Sequence, residues 1–272
     1  MLESVFDIPL FIAGPAIVGA LCLYGLLGMW IFRRFILPRM GLQAADSDFN
    51  STMLQAVMVF YGLAVALITV SVWQNYSEAG KVTSQEATAA AALYRDVSDY
   101  PEPIRNQLQT QLREYVNQII HQAWPIQQHG QIPTGSLEIM NRFQVRLMSF
   151  EPATEGQKTL HAETVGAYNR LIQAWRLRID SVQARLPGVL WFIIVAGALI
   201  SLSSSFFFRI DNAWLQSIQI ALLAAFVGLV IFLIYAFDRP FRGELGLSSD
   251  SYQVVYDQLM KPKFKADAAD AR

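Results

Sequence analysis

The chain has 272 residues, a formal net charge of −1 and 53% hydrophobic residues. Charged residues make up 16%, where a soluble domain carries about a quarter, so part of the chain is not built for water. Near-neutral charge argues against a nucleic-acid partner, because phosphate binding needs a cationic face. One cysteine, Cys22, cannot build an intrachain disulfide or a thiolate metal site.

The N-terminal residues include Glu3 and Asp7 but no Lys or Arg. The apolar run that follows, from about Ile8 to Phe32, is too long and wrongly flanked for a secretory signal, and it reads as a retained span. A helix needs about 20 apolar residues to cross the hydrocarbon core. Three more runs qualify: about Ser51 to Trp73, about Pro187 to Phe208, and about Trp214 to Phe237. Backbone polar groups in lipid must bond internally, so each run is expected to be a helix. Gly14, Gly19, Gly25 and Gly28 in the first run would let helices approach closely. Trp30, Trp73, Trp191 and Trp214 lie near the expected span ends, where an amphipathic ring prefers to sit. Arg33 and Arg34 close the first span and Arg209 the third.

The spacing divides the chain into a first span pair (1–73), a polar domain (74–186), a second span pair (187–237) and a C-terminal turn with a flexible tail (238–272). A tight hairpin is expected at 209–213. The Ala-rich stretch 74–99 is expected to extend the second span as one rod. Ile104, Leu108, Leu112, Tyr115 and Ile119 recur at helical spacing, and Trp124-Pro125 is expected to end that helix. Leu137, Met140, Phe143, Leu147 and Phe150 predict a further short helix. A long helix from about Gln157 to Leu186 carries Leu160, Leu171, Trp175, Ile179, Val182 and Leu186. The fold class that follows is an all-α membrane protein, with four transmembrane helices in two pairs and an inserted helical domain.

Basic residues flank the spans on both sides, and the short first link alone would read as cytoplasmic. Arg33, Arg34 and Arg39 lie in the first link, and Arg239, Arg242, Lys261, Lys263 and Lys265 follow the fourth span. Arg170, Arg176, Arg178 and Arg185 approach the third span on that second side. The positive-inside rule therefore leaves sidedness open.

No catalytic constellation is present. His121, His129 and His161 are scattered as solvated helix or loop residues, and none form the i, i+4 pair of a helical metal site. No phosphate loop, nucleophile elbow or paired-Cys motif occurs. The expectation is no enzyme, no cofactor and no metal.

Two stretches outside the spans stand out. One leaves the second span: Trp73, Gln74, Asn75, Tyr76, Ser77, Glu78, Ala79, Gly80, Lys81. The other follows the fourth: Asp238, Arg239, Pro240, Phe241, Arg242, Gly243, Glu244. Separately, each reads as an interfacial collar or a turn that stops a span. Together with Glu86, Leu93-Tyr94-Arg95, Trp124-Pro125, Arg185-Leu186-Pro187 and Trp191, they resemble the bestrophin-like family of bacterial membrane proteins. The likeness runs through Leu259, with one family position changed to Ala123. That family is distantly similar to bestrophin ion channels. Trp73, Tyr76, Glu78 and Ala79 match the aromatic, Glu-Ala stretch of true bestrophins. Pro240 and Phe241 match their Pro-Phe-Gly turn, with Arg242 inserted before Gly243. The acidic run that helps true bestrophins bind calcium is reduced here to Glu244 and Asp250.

The resemblance implies a bestrophin-like fold. It also implies a homo-oligomer in the inner (plasma) membrane whose second spans line an axial pore for inorganic ions, small anions above all. Both termini and the 74–186 domain would then be cytoplasmic. The second span carries no charge, and Phe60, Leu63, Leu67 and Val70 lie on or near one helical face. Apolar rings of that kind gate by dewetting. Trp73, Asn75, Tyr76, Glu78 and Lys81 would sit at the domain entrance, and Asp238, Pro240, Phe241 and Gly243 in the turn after the fourth span. The spans contain no ionisable relay for a proton-coupled transporter. The competing reading is a non-conducting membrane scaffold or sensor whose helical domain docks a protein partner. An intramembrane enzyme ranks last.

Overall fold

The structure is a computed structural model that describes residues 9–36, 39, 46–207 and 212–261. The N-terminal tail, most of the first link, the hairpin with Arg209 and the C-terminal tail lie outside those residues. The described residues are helical without a strand. Four helices are long and apolar enough to cross a membrane: Leu10–Ile36, Gln55–Val97, Gly188–Phe207 and Ala213–Phe237. The protein is an all-α membrane protein.

Helices are numbered in chain order: α1 Leu10–Ile31, α2 Asp46–Val97, α3 Ile104–Gln118, α4 Trp124–Gln128, α5 Gly135–Met148, α6 Glu155–Val182, α7 Gly188–Ser204, α8 Ala213–Phe237 and α9 Asp250–Val255. The chain divides into two compact units. One holds the described residues of Met1–Tyr76, Arg185–Arg239 and Gly243–Leu245, and the other those of Ser77–Ala184, Pro240–Arg242 and Gly246–Arg272. The rod expected beyond the second span is the single helix α2, which begins earlier, at Asp46.

The first unit contains the spans. Lipid tails are as apolar as the helices, so spans associate by close packing and hydrogen bonds rather than by leaving water. Small residues make that packing possible. A Cβ on Gly228 of α8 would lie 2.9 Å from the Val18 Cα of α1, and one on Gly25 would lie 2.9 Å from the Ile220 side chain. The first span therefore packs along the fourth. Gly197 of α7 receives the Tyr61 ring, and the Tyr61 hydroxyl donates to the Ile194 carbonyl at 3.1 Å. Gly19, read from sequence as another packing residue, faces open space. The start of α8 is capped by Asn212, whose side chain accepts the Trp214 and Leu215 N–H groups.

The second unit is a helical core built on the α2 residues from Ala79 onward. Ala79, Thr83, Glu86, Ala90, Leu93 and Val97 are all buried, alternating steps of four and three as in a coiled-coil seam. Leu108, Leu112, Tyr115 and Ile119 face them, with Met140, Phe143 and Leu147 of α5 and Leu171 of α6. Thr154 caps α6 by accepting the Gln157 N–H.

Two boundaries differ from the sequence reading. Trp124-Pro125 does not end its helix. The chain widens into a π turn at Ile119–Ala123 and continues to Gln128. Pro125 has no N–H to give, and the wider turn carries the helix past that gap. The long helix stops at Val182 rather than Leu186. Pro187 pushes the residue before it out of helical geometry, and the Leu186 N–H bonds instead to Asp238 Oδ1 at 2.7 Å.

The close approach of α1 and α8 is testable by pairing two substitutions. Alanine gains the same helix propensity at Gly228 and Gly19, so the difference between the variants isolates the contact. Gly228→Ala is expected to be about 1–3 kcal/mol less stable than Gly19→Ala, the usual cost of overpacking. Thermal unfolding of the purified chain in detergent reads this. Equal stabilities would contradict the packing.

Candidate functional site

The α2 residues of the first unit bury Val65 and Val72, one heptad apart, against Ile194, Ala198, Val227, Ile231 and Ile234. The opposite side is bare. Phe60 is 73% exposed, Leu63 59%, Leu67 65% and Val70 53%. These are the four positions the sequence placed on one face. Only 11% of this span's apolar stretch is buried within the chain, against 39% for the fourth span.

Around residues 73–76, on the side of α2 that meets α8, three aromatic rings cluster. Trp73 stacks on Tyr76 with centroids 5.9 Å apart. Phe237 of α8 meets both edge-on, at 5.3 and 5.0 Å. The Tyr76 hydroxyl donates to the Leu245 carbonyl at 2.9 Å. Edge-on packing lets each ring edge meet a neighbour's electron-rich face, so the cluster ties this level of α2 to the end of α8. Asn75 beside it is exposed.

In the second unit Glu78 and Lys81 form an exposed ion pair at 3.6 Å, one turn apart. The Lys81 charge is therefore offset locally, and such a pair contributes little to stability.

The turn after the fourth span works in two places. In the first unit, Asp238 is buried and accepts the Leu186 N–H at 2.7 Å and the Trp191 indole N–H at 3.3 Å. It thereby ties the end of α8 to the start of α7. Burial raises its carboxyl above the usual range, while Leu186, Trp191, Arg239 and Arg185 pull it part of the way back. In the second unit Phe241 is buried against the Trp124 ring at 5.5 Å, and Tyr252 meets the same ring at 5.8 Å. Pro240 is buried, and its carbonyl accepts the Leu247 N–H at 2.8 Å. The Trp124 indole donates to the Leu247 carbonyl at 3.0 Å. Gly243 has φ +76°, a backbone state that favours glycine. The turn is thus a folded structure with its own packing, and more than a stop signal.

The sequence reading missed the centre of the second unit. Glu86 sits at a seam position of α2 and is wholly buried with Arg178 of α6. Arg178 Nε donates to Glu86 Oε2 at 2.6 Å and its Nη2 to Oε1 at 3.2 Å. The Tyr115 hydroxyl donates to Oε1 at 2.5 Å. The Tyr252 ring lies 5.9 Å from the guanidinium carbon. Burial, then the Glu86 charge, push both phenols well above the usual tyrosine range. For Arg178, burial opposes the charge, but Glu86 and the two tyrosines outweigh it and the guanidinium stays protonated. Arg178 is therefore no interfacial charge, and it drops out of the basic residues that bear on sidedness. The buried stripe of α6 runs through Leu171, Ala174 and Arg178, whereas Trp175, Ile179 and Val182 are half-buried. A charge on the seam spacing of Ala79, Ala90 and Leu93 was the signal available for Glu86. Another departure is His161, whose Nδ1 lies 2.9 Å from the Tyr100 hydroxyl.

Among the described residues, no three His, Cys, Asp or Glu side chains gather to hold a metal ion. The geometry offers a bare apolar face, an aromatic collar and a locked turn. The bestrophin-like domain model matches residues 19–252. The chain belongs to the bestrophin-like family. The match takes in all four spans but for the first residues of α1, the Glu86–Arg178 pair and the turn after the fourth span. No curated protein and no solved structure gives a significant match. The bestrophin-like assignment makes this a membrane protein related to bestrophin channels.

Removing one partner of a buried ion pair strands the other charge and costs about 3–5 kcal/mol, whereas replacing the whole set by apolar groups can be neutral. Arg178→Met alone is expected to lose stability on that scale. Glu86→Leu, Tyr115→Phe and Arg178→Met together should recover most of the loss. Denaturant unfolding of the full chain in detergent measures it. A triple variant no better than the single one would contradict the assignment.

Proposed function

We propose that the protein is the subunit of a homo-oligomeric ion channel whose second spans surround an axial path for small anions. The observation that carries this reading is the bare face of Phe60, Leu63, Leu67 and Val70 on a span that seats the opposite stripe, Val65 and Val72, against its own chain. A symmetric ring of copies would turn those side chains toward one axis. Charged rings select in many pores, Asp or Glu for cations and Arg or Lys for anions, and the span has neither. Its constriction is instead apolar, which conducts when wetted and closes when dry. The anion preference comes from the likeness to bestrophins, as do the inner-membrane location and the cytoplasmic placement of the helical domain and both termini. Trp73, Tyr76 and Phe237 tie the second span to the end of the fourth, which would hold the constriction in register. Transport of this kind needs no chemical turnover, in keeping with the absence of a catalytic motif in the sequence.

Reconstitution of the full chain into liposomes tests the reading. Chloride flux is expected from the unmodified protein. Leu67→Ala and Leu63→Ala should each raise it several-fold, because a smaller apolar ring dewets less readily. Both side chains are more than half exposed in the single chain, so neither change opens a cavity within it. Silence across voltages and ions would reject the channel and leave the scaffold reading.

A further inference from the structure

Within the first unit, the bare face of α2 has a polar end. The helix is unbroken over this stretch, so residue spacing gives direction. At about 100° per residue, Phe60, Leu63, Leu67 and Val70 share one mean direction. Val65 and Val72, the stripe buried against the chain, point almost opposite to it. The same geometry puts Gln74 on the mean direction of the four, two turns past Leu67 and about 10 Å further along the axis. Gln74 is exposed. Among the described residues its side-chain amide makes no hydrogen bond.

The neighbouring polar side chains are engaged or turned aside. Tyr61 donates to the Ile194 carbonyl and Thr69 to the Val65 carbonyl. Ser71 lies about 60° to one side of the face, and Asn75 about 100°. Gln74 is therefore the polar group that continues the line of the apolar side chains. An ion that has passed an apolar ring has shed part of its water, and the groups lining the path must replace it. A glutamine amide offers two N–H donors without a charge. The second span has no Lys or Arg to supply donors in its place.

We propose that Gln74 is the selectivity-determining side chain of the path, its amide N–H groups giving a small anion the hydrogen bonds it loses beside Leu67 and Val70. This rests on the channel reading, since only a ring of copies brings several of these amides to one axis.

Planar bilayers holding the purified full chain, under a sodium chloride gradient, supply the test. The unmodified protein should reverse on the chloride side. Gln74→Leu keeps the size and removes the donors, so chloride conductance should fall about fivefold, the scale of one hydrogen bond. Gln74→Glu exchanges the amide for a carboxylate of the same shape and should move the reversal potential toward sodium. Asn75→Asp places the same charge one residue on, about 100° round the helix, and should move it far less. Two results would overturn the proposal and leave the channel standing. One is chloride conductance in Gln74→Leu equal to that of the unmodified protein. The other is an equal shift from Gln74→Glu and Asn75→Asp. A protein that conducts nothing would overturn the channel reading, and this proposal with it. Melting curves for the variants should match the unmodified protein, because both positions are exposed.

Discussion

Within a bilayer, a helix gains nothing by hiding apolar side chains from lipid, so what holds spans together is close contact between small residues and a few hydrogen bonds. That constraint shapes the first unit. Gly228 lets the backbone of α1 approach α8, Tyr61 crosses from α2 to the Ile194 carbonyl, and Asp238 fastens the end of α8 to the start of α7. The second span takes part through one stripe only, that of Val65 and Val72. The side of it that carries Phe60, Leu63, Leu67 and Val70 is exposed. The functional reading follows from that asymmetry, because a span seated on one side and bare on the other suits the inner ring of an assembly.

The second unit obeys the opposite rule. There water drives apolar groups inward, and the expensive element is a buried charge. Glu86 occupies a seam position where leucine or alanine would pack more cheaply. Its cost is met by Arg178 and Tyr115, which fill both carboxylate oxygens. Because each partner comes from a different helix, the pair reads as a device that fixes register among α2, α3 and α6. Tyr252 lies over the same guanidinium, so the segment after the fourth span is held to that centre as well.

Much of this was legible in the sequence. Four charge-poor runs of lipid length give four spans, because no other open structure satisfies the backbone in lipid. That Phe60, Leu63, Leu67 and Val70 share one side of α2 follows from their spacing. What escaped notice had physical causes. The Glu86–Arg178 pair joins residues 92 positions apart, and nothing local announces which charged residue turns inward. Apolar spacing along α6 points to Ile179, while the buried position is the neighbouring Arg178. Leu186 continues the apolar pattern of α6, but Pro187 bars helical geometry there and the helix ends at Val182. The helix runs on through Trp124 and Pro125 because a π turn absorbs the proline, and such a turn leaves no mark in composition. The turn after the fourth span looked like a stop. Its packing of Phe241 on Trp124 depends on a residue more than a hundred positions away.

The central claim is that the bare face of the second span looks onto a shared axis. A particle image of the purified full chain at side-chain resolution tests it directly. The account predicts a ring of identical subunits in which Phe60, Leu63, Leu67 and Val70 from every copy surround a central opening. A particle in which those side chains lie on the outer, lipid-facing wall would contradict it.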